Sequence, residues 1–166
     1  IGVSTKSASR CFDELEYLNI DVLGMKGKSR VINIPNDRKQ VWQQIENVLR
    51  NPVIRRFVLR EDMKLEKKAG ISALCEYSLL SDNVYPTYAV TKKELKDSAV
   101  KVEKQVSELE EIGCVVLELG YFIDFLGKGF QDPLSVVLSL TGEEQEEERA
   151  DISINEMLEE YVWSKD

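Results

Sequence analysis

The stretch GVSTKSASRCFDELEYLNI, residues 2–20, decides how the rest of the chain is read. Ile1-Gly2-Val3-Ser4 has the look of a tight turn between two helices. Ser4 is a good helix N-cap, because its hydroxyl accepts a hydrogen bond from a free N–H of the first turn. From Thr5 to Asn19 the apolar residues recur at helical spacing. Ala8, Cys11, Phe12, Leu15 and Leu18 fall on one face, and Lys6, Ser9, Arg10, Asp13 and Tyr17 on the other. Two strand-like segments follow, around Ile20–Leu23 and Arg30–Ile34. Between them lies the basic, glycine-containing tip Gly24-Met25-Lys26-Gly27-Lys28-Ser29.

A helix with cationic and hydroxyl side chains near its N-terminus, followed at once by a basic hairpin, is the layout required of a winged helix-turn-helix. In that arrangement the helix enters the major groove of DNA and the wing tip reaches phosphate. The residues GVSTKSASRCFDELEYLNI and GMKGKSRVINI resemble winged-helix transcriptional regulators of bacteria, the MarR-like group in particular. The resemblance covers about the first fifth of the chain. It implies base or phosphate contacts from Thr5, Lys6, Ser7, Ser9 and Arg10, and wing contacts from Lys26, Lys28 and Arg30. The helices that precede the turn in that family are not in this sequence, so a chain opening on Ile1 is expected to be N-terminally incomplete. The competing reading is an ordinary surface helix followed by a hairpin.

Charge is distributed unevenly. Residues 1–70 carry 14 Lys and Arg against 9 Asp and Glu, a net of +5, whereas residues 71–166 carry 8 against 21, a net of −13. Such asymmetry is expected of a nucleic-acid-facing module joined to a separate body, which repels the DNA backbone and so orients the basic part toward it. The 166 residues and a hydrophobic fraction of 43% suit one ordinary domain, or a small module and a larger one. No apolar run approaches the roughly 20 residues of a membrane span. Cys11, Cys75 and Cys114 have neither metal-ligand spacing nor a disulfide pattern, and are expected to be buried, reduced thiols of a cytoplasmic protein. The chain has no histidine, which removes His-based acid–base chemistry, serine–histidine triads and most transition-metal sites.

Further along, Pro35-Asn36-Asp37 marks a turn, with Asn36 or Asp37 capping a helix from Arg38 to Asn51. Its apolar positions are Val41, Ile45, Val48 and Leu49, with Trp42 beside them. Val53–Arg60 reads equally as helix or strand. The arginines there, Arg50, Arg55, Arg56 and Arg60, face phosphate or pair with the acidic half. Gly70–Leu80 reads as a buried helix and Tyr85–Val90 as a short strand. Thr91 caps a short helix through Leu95, and Lys96–Glu111 is strongly charged. Cys114–Leu119 is the clearest buried strand, extending toward Ile123. Gly127–Gly129 is a loop, and Asp132-Pro133 opens a helix through Leu140. Glu143–Glu148 reads as a solvated loop or the first turn of a helix, and Ile152–Trp163 as a last amphipathic helix.

The expected class is therefore α+β. A partial winged helix over residues 1–60 precedes an acidic, mixed α+β regulatory or interaction domain over 61–166. AGISALCEYSLLSDNVYPTYAV, VVLELGYFIDF and QDPLSVVLSLTGEEQEEERADISINEMLEEYVW, within residues 69–163, resemble the body behind the winged helix in antitoxins of abortive-infection type IV toxin–antitoxin systems. That resemblance implies an effector, partner-binding or dimerisation role and carries over no catalytic residue.

Enzymatic readings are weaker. Gly27-Lys28-Ser29 would end a phosphate-binding loop only if a glycine stood at Val22. Glu108, Glu118, Asp124 and Asp132 are candidate carboxylates for a metal-dependent nuclease, but no Glu-x-Lys accompanies them on a strand. Cys75 and Cys114 have no histidine to activate them. The expectation is a non-enzymatic, DNA-binding transcriptional regulator without cofactor or metal, acting as a homodimer on double-stranded DNA and not at a membrane. The alternative is an antitoxin-like module whose acidic body holds a protein partner.

Overall fold

The computed structural model describes residues 4–97, 112–124 and 126–164, and the chain divides into two units, residues 1–49 and 50–166. The class is mixed α+β: among the described residues there are seven α-helices, a closing π-helical turn and two small sheets. The opening turn at residues 1–3, the charged stretch 98–111 and Glu108 within it lie outside the described residues.

The first unit begins with α1, Thr5–Tyr17. Ser4 caps it, its hydroxyl accepting from the Ser7 N–H at 3.1 Å. Its C-terminus closes by a two-bond exit. Asn19 donates to the Glu16 carbonyl at 3.0 Å and Ile20 to the Leu15 carbonyl at 3.2 Å, with Asn19 at φ 53° in the left-handed region. Asparagine tolerates that conformation better than most residues, so it stops the helix cleanly. The chain then forms the antiparallel hairpin β1, Leu23–Lys26, and β2, Ser29–Ile32. The first strand starts at Leu23 rather than Ile20, because the helix exit consumes Ile20 and Val22 follows it in a turn. Lys26 pairs with Ser29, which leaves Gly27 and Lys28 as a two-residue loop, and Gly27 supplies the positive φ of 64° that such a turn needs at its first position.

Helix α2, Arg38–Ile45, starts on Asp37, whose carboxylate accepts from the Gln40 N–H at 3.0 Å. It ends six residues before Asn51. Val48 and Leu49 are exposed, so no burial holds a further turn in helical form. Trp42 is the buried residue of this helix.

The second unit is built on a three-stranded sheet of order β3-β5-β4: β3, Val53–Leu59; β4, Thr87–Thr91; β5, Cys114–Leu119. The central β5 pairs antiparallel with β3 and parallel with β4, and all six of its residues are buried. That two-sided burial is why it reads as an apolar run interrupted at one position, Glu118. The strand ends at Leu119 and does not reach Ile123. Because Val53–Leu59 is a strand of this sheet, the division of the chain falls at residues 49/50 and not at 60.

The remaining helices are α3, Gly70–Tyr77; α4, Lys92–Asp97; α5, Pro133–Ser139; α6, Gly142–Glu146; and α7, Glu148–Leu158, which runs into the π-helical turn Glu159–Trp163. Of these, α3, α5 and α7 form a second layer of the core. Leu74, Val136, Ala150 and Met157 are fully buried where α3, α5 and α7 meet. Tyr77 stacks edge-on against Phe130 and Tyr161, each with ring centroids 5.0 Å away. Asp132 caps α5 ahead of Pro133, and Thr141 and Glu144 form a reciprocal capping box at α6, so the acidic run enters as a first turn. The last helix begins at Glu148, four residues ahead of Ile152.

Candidate nucleic-acid interface

The sequence places its basic candidates on α1 and the hairpin, and the first unit brings these two elements together through one side chain. Arg30 on β2 reaches back to α1. Its guanidinium donates to Asp13 Oδ1 at 2.6 Å and to Ser9 Oγ at 2.8 Å, and it lies 5.1 Å from the centroid of the Phe12 ring. Ser9 and Asp13 stand four apart and so on one face of the helix, spaced to receive a single planar, forked donor. The attraction is moderate, since the Asp13 side chain is 63% exposed. The geometric effect is larger: three contacts of different kinds set the direction of the hairpin relative to the helix.

Two of the candidates also hold the frame together. Ser9 and Arg30 are half-buried and bonded to each other, and the Arg30 side chain stays 34% exposed. Ser7 is exposed, but its hydroxyl shares a 2.9 Å hydrogen bond with Ser4 at the cap. Thr5, Lys6 and Arg10 project into solvent from α1, and Lys26 and Lys28 from the hairpin tip. Lys6 and Arg10 are four apart and share a helical face.

The apolar face of α1 departs from expectation. Phe12 and Leu15 are half-covered, Leu18 is 42% exposed, and α1 has no buried residue. Cys11, expected in a core, is exposed.

In the second unit two of the crowded arginines act within the fold. Arg55 binds Glu118 of β5 at 2.5 Å, with the Glu118 side chain 2% exposed, and Arg56 binds Glu144 at 2.6 Å. Burial alone would raise the Glu144 pKa, but the Arg56 guanidinium and the Thr141 cap hold it below the usual carboxylate range. Two other candidate carboxylates among the described residues accept backbone hydrogen bonds, although Asp132 Oδ2 is buried without a partner. Asp124 accepts from the N–H groups of Lys128 and Gly129, and Asp132 caps α5. Among the described residues no group of three or more His, Cys, Asp or Glu could hold a metal ion. Burial pushes the Cys75 thiol up to about 11 and raises that of Cys114, the opposite of what a nucleophile needs.

The sequence reading missed the Arg30 frame because it assigned each residue to solvent or core one at a time. The legible signal was a Ser/Asp pair at i, i+4 on the helix with an arginine in the hairpin behind it. Among the described residues no helix is long and apolar enough to cross a membrane. No protein-family model matches this chain, and neither a curated protein nor a solved structure matches it.

Proposed function

We propose that this chain is a DNA-binding transcriptional regulator of the winged-helix kind, in which α1 is the recognition helix and the β1–β2 hairpin is the wing. The observation that carries the reading is the frame around Arg30. A helix bearing exposed Thr5, Lys6 and Arg10 is tied to a hairpin bearing exposed Lys26 and Lys28. Cations held in a set geometry on a helix and a neighbouring loop suit a duplex, whose phosphates recur at fixed spacing. In this reading Lys6 and Arg10 face the major groove and Lys26 and Lys28 contact the backbone. The role is non-enzymatic, needs no cofactor, and is exercised by a homodimer on a palindromic site.

Fluorescence anisotropy of the full chain on DNA from its own upstream region and on random DNA tests the assignment. Arg10→Ala is expected to cost about 1–3 kcal/mol on the specific site and to relax specificity, if Arg10 reads a base edge. Equal loss on both DNAs would make it a phosphate contact. Loss on neither would remove α1 from the interface.

A second reading takes its support from the other unit. Glu76, Glu156, Glu159 and Glu160 line one open depression there, beside Leu79, which is 99% exposed. A protein-interaction module of the antitoxin-like type would use such a surface. The double variant Lys26→Ala/Lys28→Ala separates the two. Loss of DNA affinity with partner binding intact supports the regulator, and the reverse supports the module.

A further inference from the structure

Met25 is the exposed apolar residue that adjoins the basic hairpin tip in the first unit. It is a large apolar side chain, 66% exposed, immediately before the two lysines of the hairpin tip. In the ladder it pairs with Arg30, so the two side chains lie side by side on one face of the hairpin. Arg30 turns from that face to Ser9 and Asp13 of α1. Lys26, the next residue, projects from the opposite face. The tip is therefore a thin blade with a thioether on one side and an ammonium on the other, and Lys28 at its turn.

We propose that Met25 is a specificity-determining contact in the minor groove of A·T-rich DNA, an inference that rests on the DNA-binding reading above. The chemistry of that groove suits the blade. Its walls are sugar edges that accept an apolar side chain, and its rims are phosphates within reach of Lys26 and Lys28. Architectural proteins that bind there often insert a methionine or another apolar wedge at a base step. The floor of an A·T pair carries only acceptors, whereas a G·C pair adds the guanine 2-amino group, which occupies the space an apolar chain would fill. An unbranched, polarizable thioether adapts to such a narrow surface at little cost in shape. Other large apolar residues of this unit are exposed as well, Tyr17 at 90% and Ile34 at 65% among them, but these stand farther from the two lysines in the sequence.

The test uses the full chain and a set of duplexes that differ only in the minor groove: an A·T-rich duplex, the same duplex with diaminopurine for adenine, and a G·C duplex with and without inosine for guanine. Diaminopurine adds the 2-amino group and inosine removes it. The natural chain is expected to bind about tenfold more weakly when the amino group is added, and to recover when it is removed. Met25→Ala should lose about tenfold on the A·T-rich duplex and no longer distinguish the members of the set, while Met25→Leu keeps the preference. Circular dichroism of both variants should be unchanged, since the side chain is exposed. The proposal is overturned if the natural chain binds all four duplexes alike, if Met25→Ala keeps the distinction, or if its affinity falls equally on every duplex. Unchanged DNA affinity in Met25→Ala would also overturn it and direct the residue to a protein contact. Failure of the natural chain to bind any duplex would instead remove the DNA-binding reading itself.

Discussion

The two units are held together by different means. In the second, every residue of β5 is buried, and the layer of α3, α5 and α7 adds Leu74, Val136 and Met157 at 0% exposure. In the first, Ile20, Val22 and Trp42 are the buried residues among those described, and α1 contributes none. The body is held by hydrophobic burial. The helix–hairpin unit has a small core, a cap, a clean helix exit and one arginine bound to two helix positions. Units of fewer than about 50 residues bury a small fraction of their surface and lean on such specific contacts. The larger unit is built around a hydrophobic core, and the smaller one around a few specific contacts.

This contrast can be broken most forcefully at the core. Leu117→Ala on β5 should cost about 2–5 kcal/mol, because a side chain 1% exposed leaves a cavity that its neighbours cannot fill. Leu15→Ala on α1, half-covered, should cost less than about 1 kcal/mol. Urea unfolding followed by fluorescence reads both, since Trp42 reports the first unit and Trp163 the second. Equal losses would abolish the distinction.

The next effect concerns Arg55 and Glu118. Arg55→Ala strands a carboxylate at 2% exposure without its partner and should cost about 2 kcal/mol, whereas Glu118→Met frees an arginine already 56% exposed and should cost much less. The asymmetry is the prediction, and chemical denaturation of the two variants measures it.

A smaller effect sharpens the other side. In the proposed DNA-binding reading, Arg30→Ala should weaken binding by about 1 kcal/mol and leave its salt dependence unchanged, because the Arg30 guanidinium is bound to Ser9 and Asp13. A reduced salt slope would make Arg30 itself a phosphate contact.

The smallest effect is acid sensitivity of the body. The Lys67 ammonium at 2.5 Å, with the Thr91 cap, lowers the Glu94 carboxyl from 4.5 to about 2. A folded pKa below the unfolded one adds stability above pH 4.5, which is lost as pH falls toward 2. Glu94→Gln should flatten the stability profile in that window. An unchanged profile would show that the pair contributes nothing.

Local chemistry was legible in the sequence where one residue decides an outcome. Ser4, Asp37, Thr91 and Asp132 cap helices through side chains acting three residues away, and the run Cys114–Leu119 declared a two-sided strand. Long-range decisions were not legible. Val53–Leu59 has no clear alternation, and only its pairing with β5 makes it a strand of the second unit. Glu118 looked like a free carboxylate because its partner lies 63 residues earlier. The tie of Arg30 to α1 was hidden because Ser9 lies 21 residues away. In each case the residue type signalled charge, and the tertiary partner decided whether that charge was available.

The central claim, that the first unit engages DNA, is tested most directly by titrating the full chain with its own upstream DNA and with random DNA at about 50 and 200 mM salt. The account predicts tight upstream binding, and random binding that is weaker and falls steeply between the two salt concentrations. No binding to either DNA at low salt would contradict it.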